Sequence, residues 1–244
     1  MDMLPSASRL GLAALHHRAT TTSTMDDAHR LAADGAEAGT LVVADHQETG
    51  RGRAGRVWAS APHAGLWMTL IERPRDREML DVLALRLGLA LAAALDPFVS
   101  SGVRLKWPND LFVGAGKLAG ILVEARWRED VVDWVAIGVG VNMRVPAEFV
   151  GAASVQSDVS RAQLLLAMVP RMRAASAGTG VLSAEELQAW SARDVSVGRS
   201  ISAPIAGVVL GIAATGALLV RSLGTGTVES ARSGSLVFTN QESP

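Results

Sequence analysis

Residues 50–56 read G-R-G-R-A-G-R, glycines interleaved with Arg51, Arg53 and Arg56, and Val57 and Trp58 follow. Glycine admits positive φ and lets a ligand approach the main chain closely. Each guanidinium offers a planar fork of donors matched to phosphate or carboxylate. Three like charges in so short a span repel one another, and a bound anion would neutralise that repulsion and order the backbone. Two readings follow: a mobile clamp that closes on a polyanion, or an exposed basic turn, including one that touches nucleic acid. Further chemistry-bearing residues sit at Lys106 and Lys117, at Asn109 and Asp110 in a P-N-D turn, and at Gln47. Ser23 and Thr24 precede Asp26 and Asp27, a helix-start pattern. Their hydroxyls either cap that helix or face a pocket at its positive end, where an anion or carbonyl could sit.

The elements that must position these groups are legible as punctuation. Residues 10–15 are a helical turn or an extended lead-in, and 26–33 predict a helix. Residues 39–45 (G-T-L-V-V-A-D) and 65–71 (G-L-W-M-T-L-I) predict buried strands that flank the arginine loop, with Gln47 where the first runs out. Residues 81–95 predict an apolar helix stopped at Asp96-Pro97. Residues 103–107, 111–113, 117–126 and 131–142 predict strands. Gly120 lies inside the third, where glycine implies a close approach to the backbone. Gly138 and Gly140 in the fourth share a face, either as a smooth floor under a flat ligand or for close strand packing. Residues 163–177 and 183–192 predict helices, the second opened by Ser183 followed by Glu185 and Glu186 in a capping-box arrangement. From Asp194 to about Phe238 the texture changes to short strands with glycine turns, which predicts a small β-barrel. The last five residues are expected to fray.

Composition narrows the function classes. The 244 residues suit one large domain or a main domain with a small one, and 49% hydrophobic residues can fill a core. A formal net charge of −1 supplies no global field for nucleic acid, so the basic loop is local. With 0 cysteines and 0 tyrosines there are no disulfides, thiolate metal sites, cysteine nucleophiles or tyrosyl chemistry. Residues 82–95 are too short, and interrupted by Arg86, to span a bilayer. Residues 201–220 are uncharged but broken by Pro204, Gly207, Gly211 and Gly216, so they read as strands and turns. The N-terminus carries no secretion signal. The default expectation is a cytoplasmic protein.

Four motifs then occur in order: G-R-G-R-A-G-R at 50–56, K-W-P-N-D at 106–110, G-K-L-A-G-I-L-V-E at 116–124 and G-V-N-M at 140–143. Together they resemble the biotin–protein ligases, over most of the chain from Ser23-Thr24 onward. The resemblance implies an α+β fold: a mixed β-sheet with flanking helices, related to class II aminoacyl-tRNA synthetases and lipoate ligases, at 1–193, plus a C-terminal SH3-like barrel at 194–244. Some relatives carry an N-terminal winged-helix repressor. Here 22 residues precede Ser23, against the roughly 55–65 a folded DNA-binding domain needs, so a ligase without DNA binding is expected.

The resemblance also implies the reaction. Biotin and ATP give biotinyl-5′-AMP and pyrophosphate, and a lysine of a biotin carboxyl carrier domain of an acyl-CoA carboxylase then displaces AMP. By resemblance, Arg51, Gly52 and Arg53 close over biotin and the adenylate, Arg56 lies nearer the phosphates, and Lys117 holds the carboxylate or phosphoryl oxygen. Ser23, Thr24 and Gln47 meet the ureido ring, Asn109 and Asp110 orient phosphate and Mg²⁺, Lys106 adds charge or forms a surface salt bridge, and Asn142 helps place the nucleotide. Asp110 is the candidate base for the acceptor lysine, which is only about 0.1% neutral at pH 7.4 if unperturbed. Trp58 and Trp107 stack on a ring or pack in the core, and Glu124 contacts magnesium or pairs with an arginine. Where the family often has Asn after the Ser–Thr pair, this chain has Met25, which contacts the apolar part of biotin or weakens its binding. The rivals are a lipoate–protein ligase of the same superfamily and a non-catalytic nucleotide- or RNA-binding module. The assembly is a monomer or homodimer, and no membrane is involved.

Overall fold

The computed structural model describes residues 3–74, 76–145 and 150–239; the expectation of fraying at 240–244 falls outside them. Among the described residues, nine strands and four α-helices precede the C-terminal sheet. They are β1 (Ala14–Thr21), α1 (Thr24–Ala33), β2 (Thr40–Gln47), β3 (Gly50–Arg51), β4 (Val57–Trp58), β5 (Gly65–Glu72), α2 (Glu78–Leu95), β6 (Arg104–Lys106), β7 (Asp110–Val113), β8 (Gly116–Arg128), β9 (Val131–Asn142), α3 (Arg161–Ser176) and α4 (Ala184–Arg193). The seven-stranded sheet has the order β1-β2-β5-β9-β8-β7-β6. The β1–β2 pair is parallel and the β2–β5 and β8–β9 pairs, among others, are antiparallel, the mixed sheet expected. Residues 10–15, expected as a helical turn or an extended lead-in, hold the end of one and the start of the other, with Leu10 in a 3₁₀ turn and Ala14 and Leu15 already in β1. A short 3₁₀ turn at Ser8–Leu10 ends before β1, whose histidines and hydroxyls hid an edge strand from hydrophobic periodicity.

Alternation along each strand divides the core between the two faces. Leu41 and Val43 of β2, Leu66, Met68 and Leu70 of β5, and Val135, Ile137, Val139 and Val141 of β9 join α2 and α3 in the larger cluster. Val42, Ile71 and Ala136 point the other way, against Met25, Ala28 and Ala32 of α1. α1 covers only part of that face. Beyond its N-terminus, cross-strand neighbours bring Asp110, Gly120, Gly140 and Trp67 into one row and Leu122, Gly138 and Thr69 into the next. The three glycines leave the sheet surface bare there, and the cavity described below rests on that bare patch.

The C-terminal sheet runs β13-β12-β11-β10-β14, from β10 (Ser200–Ala203), β11 (Gly207–Ile212), β12 (Leu218–Ser222), β13 (Val228–Ala231) and β14 (Val237–Phe238). Five antiparallel strands are compatible with an SH3-like barrel. Its Ile201, Val209, Leu218 and Val220 belong to the same apolar cluster as the main sheet, so one continuous core runs through both. Trp107, expected either on a ligand or in the core, is a core residue: it is 2% exposed, and its Nε1 donates to Gly216 O at 3.0 Å.

Candidate active site

The N-terminus of α1 builds one end of the site. Ser23 is the N-cap, its Oγ accepting from Met25 N at 3.2 Å, so the capping reading holds while the residue also lines the cavity. Thr24 donates from its backbone N (2.9 Å) and from Oγ1 (3.0 Å) to Gln47 Oε1. An obligate backbone donor on Oε1 sets the amide orientation, so Gln47 Nε2 faces Ser60 and donates to its Oγ at 2.8 Å. Thr24 Oγ1 spends its proton on Gln47, so it accepts from Thr69 Oγ1, 2.9 Å away. Thr69, Thr24, Gln47 and Ser60 thus form one buried polar chain beside the bare glycines. Sequence reasoning missed Thr69 and Ser60. The signal for Thr69 was a lone polar residue within the apolar run at 65–71.

The glycine–arginine segment folds as a ribbon, β3 paired with β4, around a 3₁₀ turn at Arg53–Gly55 in which Ala54 has φ 54°. Ala54 thus sits in the left-handed region that disfavours a Cβ. Gly50 is required by close approach: a Cβ there would lie 2.5 Å from Trp58 O. The ribbon lays Trp58 over the glycine floor, where added Cβ atoms would meet the indole at 2.7 Å (Gly140) and 2.8 Å (Gly120). Met25 covers Gly138 in the same way, its Cε 2.7 Å from where a Cβ would be. The glycines thus share one face, and the side chains of Trp58 and Met25 pack on it. Among the described residues, the buried Nε1 atoms of Trp58 and Trp67 have no protein hydrogen-bond partner.

The resulting cavity, about 160 Å³, is lined by Ser23, Thr24, Met25, Gln47, Arg51, Gly52, Arg53, Arg56, Asn109, Asp110 and Lys117 together with Trp58, Thr69 and the three glycines. Four cations line it, and Asp110 is the only acidic side chain to do so among the described residues. Lys117 Nζ lies 2.7 Å from Asp110 Oδ1 and 4.9 Å from the Trp58 ring. Arg53 donates to Asn109 Oδ1 at 3.1 Å. Burial pulls the Arg53 guanidinium below its ordinary value, Asp110 opposing and Arg56 reinforcing the shift. Arg51 donates to Asp26 Oδ1 at 2.6 Å and to Glu124 Oε1 at 2.7 Å. Glu124 therefore pairs with an arginine, in mid-strand. Arg56 donates to Ser235 Oγ at 3.1 Å, which ties the ribbon to the C-terminal region.

Two expected residues lie outside this lining. Lys106 Nζ sits over the rings of Phe112 (5.6 Å) and Phe238 (4.9 Å). Burial lowers its pKa, Asp110 resists, and Lys117, Arg199 and Arg56 add to the lowering. Asn142 donates to Lys117 O at 3.0 Å and lines an adjoining apolar cavity behind Trp58, shared with Trp67 and Ala152. Among the described residues, no three His, Cys, Asp or Glu side chains gather as a metal site. Asp110, with one oxygen on Lys117, makes no protein cage for a cation.

Fold and site together define a class: a mixed-sheet α+β domain whose cavity joins a neutral donor–acceptor chain to a cationic mouth under an arginine ribbon. The model of the biotin/lipoate A/B protein ligase family matches residues 17–142, and the chain belongs to that family. It is 33% identical over 226 residues to the biotin–[acetyl-CoA-carboxylase] ligase of Paracoccus denitrificans, covering 83% of this chain and 92% of that one. It is 44% identical over 124 residues to the bifunctional ligase/repressor BirA of Bacillus spizizenii, 50% of this chain and 38% of that protein. Across the first curated relatives the chain spans 33% to 47% of their length. Among solved structures, it is similar to the Leishmania major biotin protein ligase in complex with biotinyl-5-AMP, with a TM-score of 0.63 and 25% identity over 90% of this chain and 98% of that one. The fold also matches the Aquifex aeolicus biotin protein ligase in complex with biotin and ATP, with a TM-score of 0.71 and 24% identity over 92% of this chain and 97% of that one. No described helix is long and apolar enough to cross a membrane.

Proposed function

We propose that the protein is a biotin–protein ligase, which activates biotin with ATP and transfers it to a lysine of a biotin carboxyl carrier domain. The observation that carries this reading is the convergence of Arg53, Lys117 and Asp110 on one cavity that ends in the Thr24–Gln47 polar chain. In the first step a biotin carboxylate oxygen attacks the α-phosphorus of ATP and pyrophosphate leaves. Both reactants are anions, so the step needs cations fixed in a partly dry site. Arg53, Arg56 and Lys117 supply them, and Lys117 would move from Asp110 to the transferring oxygens. Ser23, Thr24, Gln47, the main chain at Arg51 and Gly52, and Met25 would enclose the biotin head. Asn109 orients the phosphate through Arg53. Asn142, in the cavity behind Trp58, would reach the nucleotide there, and Lys106 would act at longer range.

In the second step the acceptor amine attacks the acyl carbon, AMP leaves and the amine gives up a proton. Asp110 is the base within this cavity. Mg²⁺ would arrive with the nucleotide and neutralise phosphate charge. Among the described residues the cavity offers it one carboxylate, Asp110, so no step is assigned to a protein-held metal. We assign residues 1–193 to the catalytic unit and 194–244 to the C-terminal one. Incubation of the pure protein with ATP, Mg²⁺, biotin and a carrier domain should release pyrophosphate and leave one biotinylated lysine. Activity with lipoate and not biotin, or no pyrophosphate with either, would overturn the assignment.

A further inference from the structure

Arg51 is the first arginine of the ribbon, yet its guanidinium does not reach into the cavity unengaged. It spans two elements, with Nη1 on Asp26 of α1 at 2.6 Å and Nη2 on Glu124 of β8 at 2.7 Å. Glu124 is in turn held from behind: its Oε2 lies 3.0 Å from His29 Nε2, and His29 Nδ1 lies 2.9 Å from Trp134 Nε1. An indole N–H only donates, so His29 Nδ1 is the acceptor and the imidazole proton sits on Nε2, pointing at Glu124. The tautomer, and with it the Glu124 rotamer, is therefore set by Trp134. His29 and Glu124 side chains are 11% and 17% exposed, against 38% for Arg51, so the chain runs from a rigid interior to the ribbon at the surface.

We propose that Glu124, oriented by His29 and Trp134, is the latch that sets Arg51 and through it holds the glycine–arginine ribbon over the cavity. His29 and Glu124 are positioning residues and touch no reactant. The ribbon needs such a hold because β3 and β4 are two residues each and the turn between them contains Gly52, Gly55 and a left-handed Ala54. Resting on the ligase reading, the latch would retain biotinyl-5′-AMP between the two steps, since the ribbon must lift to release it.

The test has one arm that needs no catalysis. Hydrogen exchange of the amides of residues 50–58 in the ligand-free protein should quicken on the order of 3- to 10-fold in E124Q and H29L, the scale of losing one charge-assisted contact. In H29Q, whose amide N–H can still donate to Glu124, the wild-type rate should return. The second arm measures release of biotinyl-5′-AMP, which should rise by a similar factor in E124Q and H29L, while single-turnover transfer of bound adenylate keeps its rate. Unchanged exchange in the ribbon, exchange raised uniformly across the sheet, or no rescue in H29Q would overturn the latch. If the wild type forms no adenylate, the functional reading fails, and the exchange arm still decides whether the ribbon is latched.

Discussion

Lys117 Nζ lies 2.7 Å from Asp110 Oδ1 across the β7–β8 pair, so the one carboxylate that lines the cavity among the described residues pairs with one of its cations. Under the proposed reaction the ion pair would hold Lys117 in place before the anions bind and would release Asp110 once they do. About a third of the Lys117 side chain and a quarter of that of Asp110 are exposed (31% and 24%), so water competes for both groups and an exchange of partners is accessible.

Lys117→Met is expected to reduce adenylate formation on the order of 10²–10³-fold, the usual loss for one electrostatic contact to a developing charge. Pyrophosphate release under saturating biotin and ATP measures it. A reduction confined to KM would mean that Lys117 binds the ground state only.

Asp110→Asn should leave biotin binding within a few-fold of wild type and slow acyl transfer from preformed biotinyl-5′-AMP by roughly 10²-fold or more, the range of a lost general base. Acyl transfer that keeps its wild-type rate in the variant would remove Asp110 from this role.

Thr69→Val removes the donor on Thr24 Oγ1 and leaves a buried hydroxyl under-satisfied, at a cost of about 1–3 kcal/mol. The cost should appear as weaker biotin binding by calorimetry, with Thr69→Ser restoring most of it. Equal affinity in all three proteins would place the polar chain outside the binding site.

Trp107→Phe keeps most of the buried area and deletes the bond to Gly216 O that joins the main sheet to the C-terminal one. An unpaired buried carbonyl costs about 1–3 kcal/mol, and at roughly 2–4 °C per kcal/mol for a chain of this size the thermal midpoint should drop by several degrees. A larger cavity from Trp107→Ala should cost about 3–5 kcal/mol.

Asp45 lies against Arg161 of α3 and His17 of β1. Burial alone would raise its pKa, but the hydrogen bonds and charges of Arg161 and His17 outweigh it and hold the carboxyl below its ordinary 3.8. A depressed folded pKa gives stability that is complete above the unfolded value and is lost as pH falls through the folded one. The affected window therefore lies below about pH 4. Urea midpoints should show Asp45→Asn destabilised at pH 7 and with a flatter acid limb than wild type. An identical acid limb in both proteins would remove Asp45 from this role.

The strand-end motifs, the helix starts at Ser23 and Ser183, and the shared face of Gly138 and Gly140 were legible in the chain. Turn chemistry, capping and two-residue alternation are local, and each leaves its signature within a few residues. The order of those motifs also carried the family. β1 was not legible because an edge strand with one half-exposed face has no apolar alternation to read. Tertiary structure alone decided which distant residues meet. Strand register set Gly120 against Gly140 and Thr69 against Gly138 and brought Trp58 and Met25 onto that floor. Packing of α1 across the sheet joined Thr24 to Thr69 and His29 to Glu124. Pairing of β6 with β7 set Lys106 opposite Asp110, and the C-terminal sheet brought Phe238 to its Nζ. A one-residue slip in pairing would reverse every one of these facings, and no local pattern records the choice.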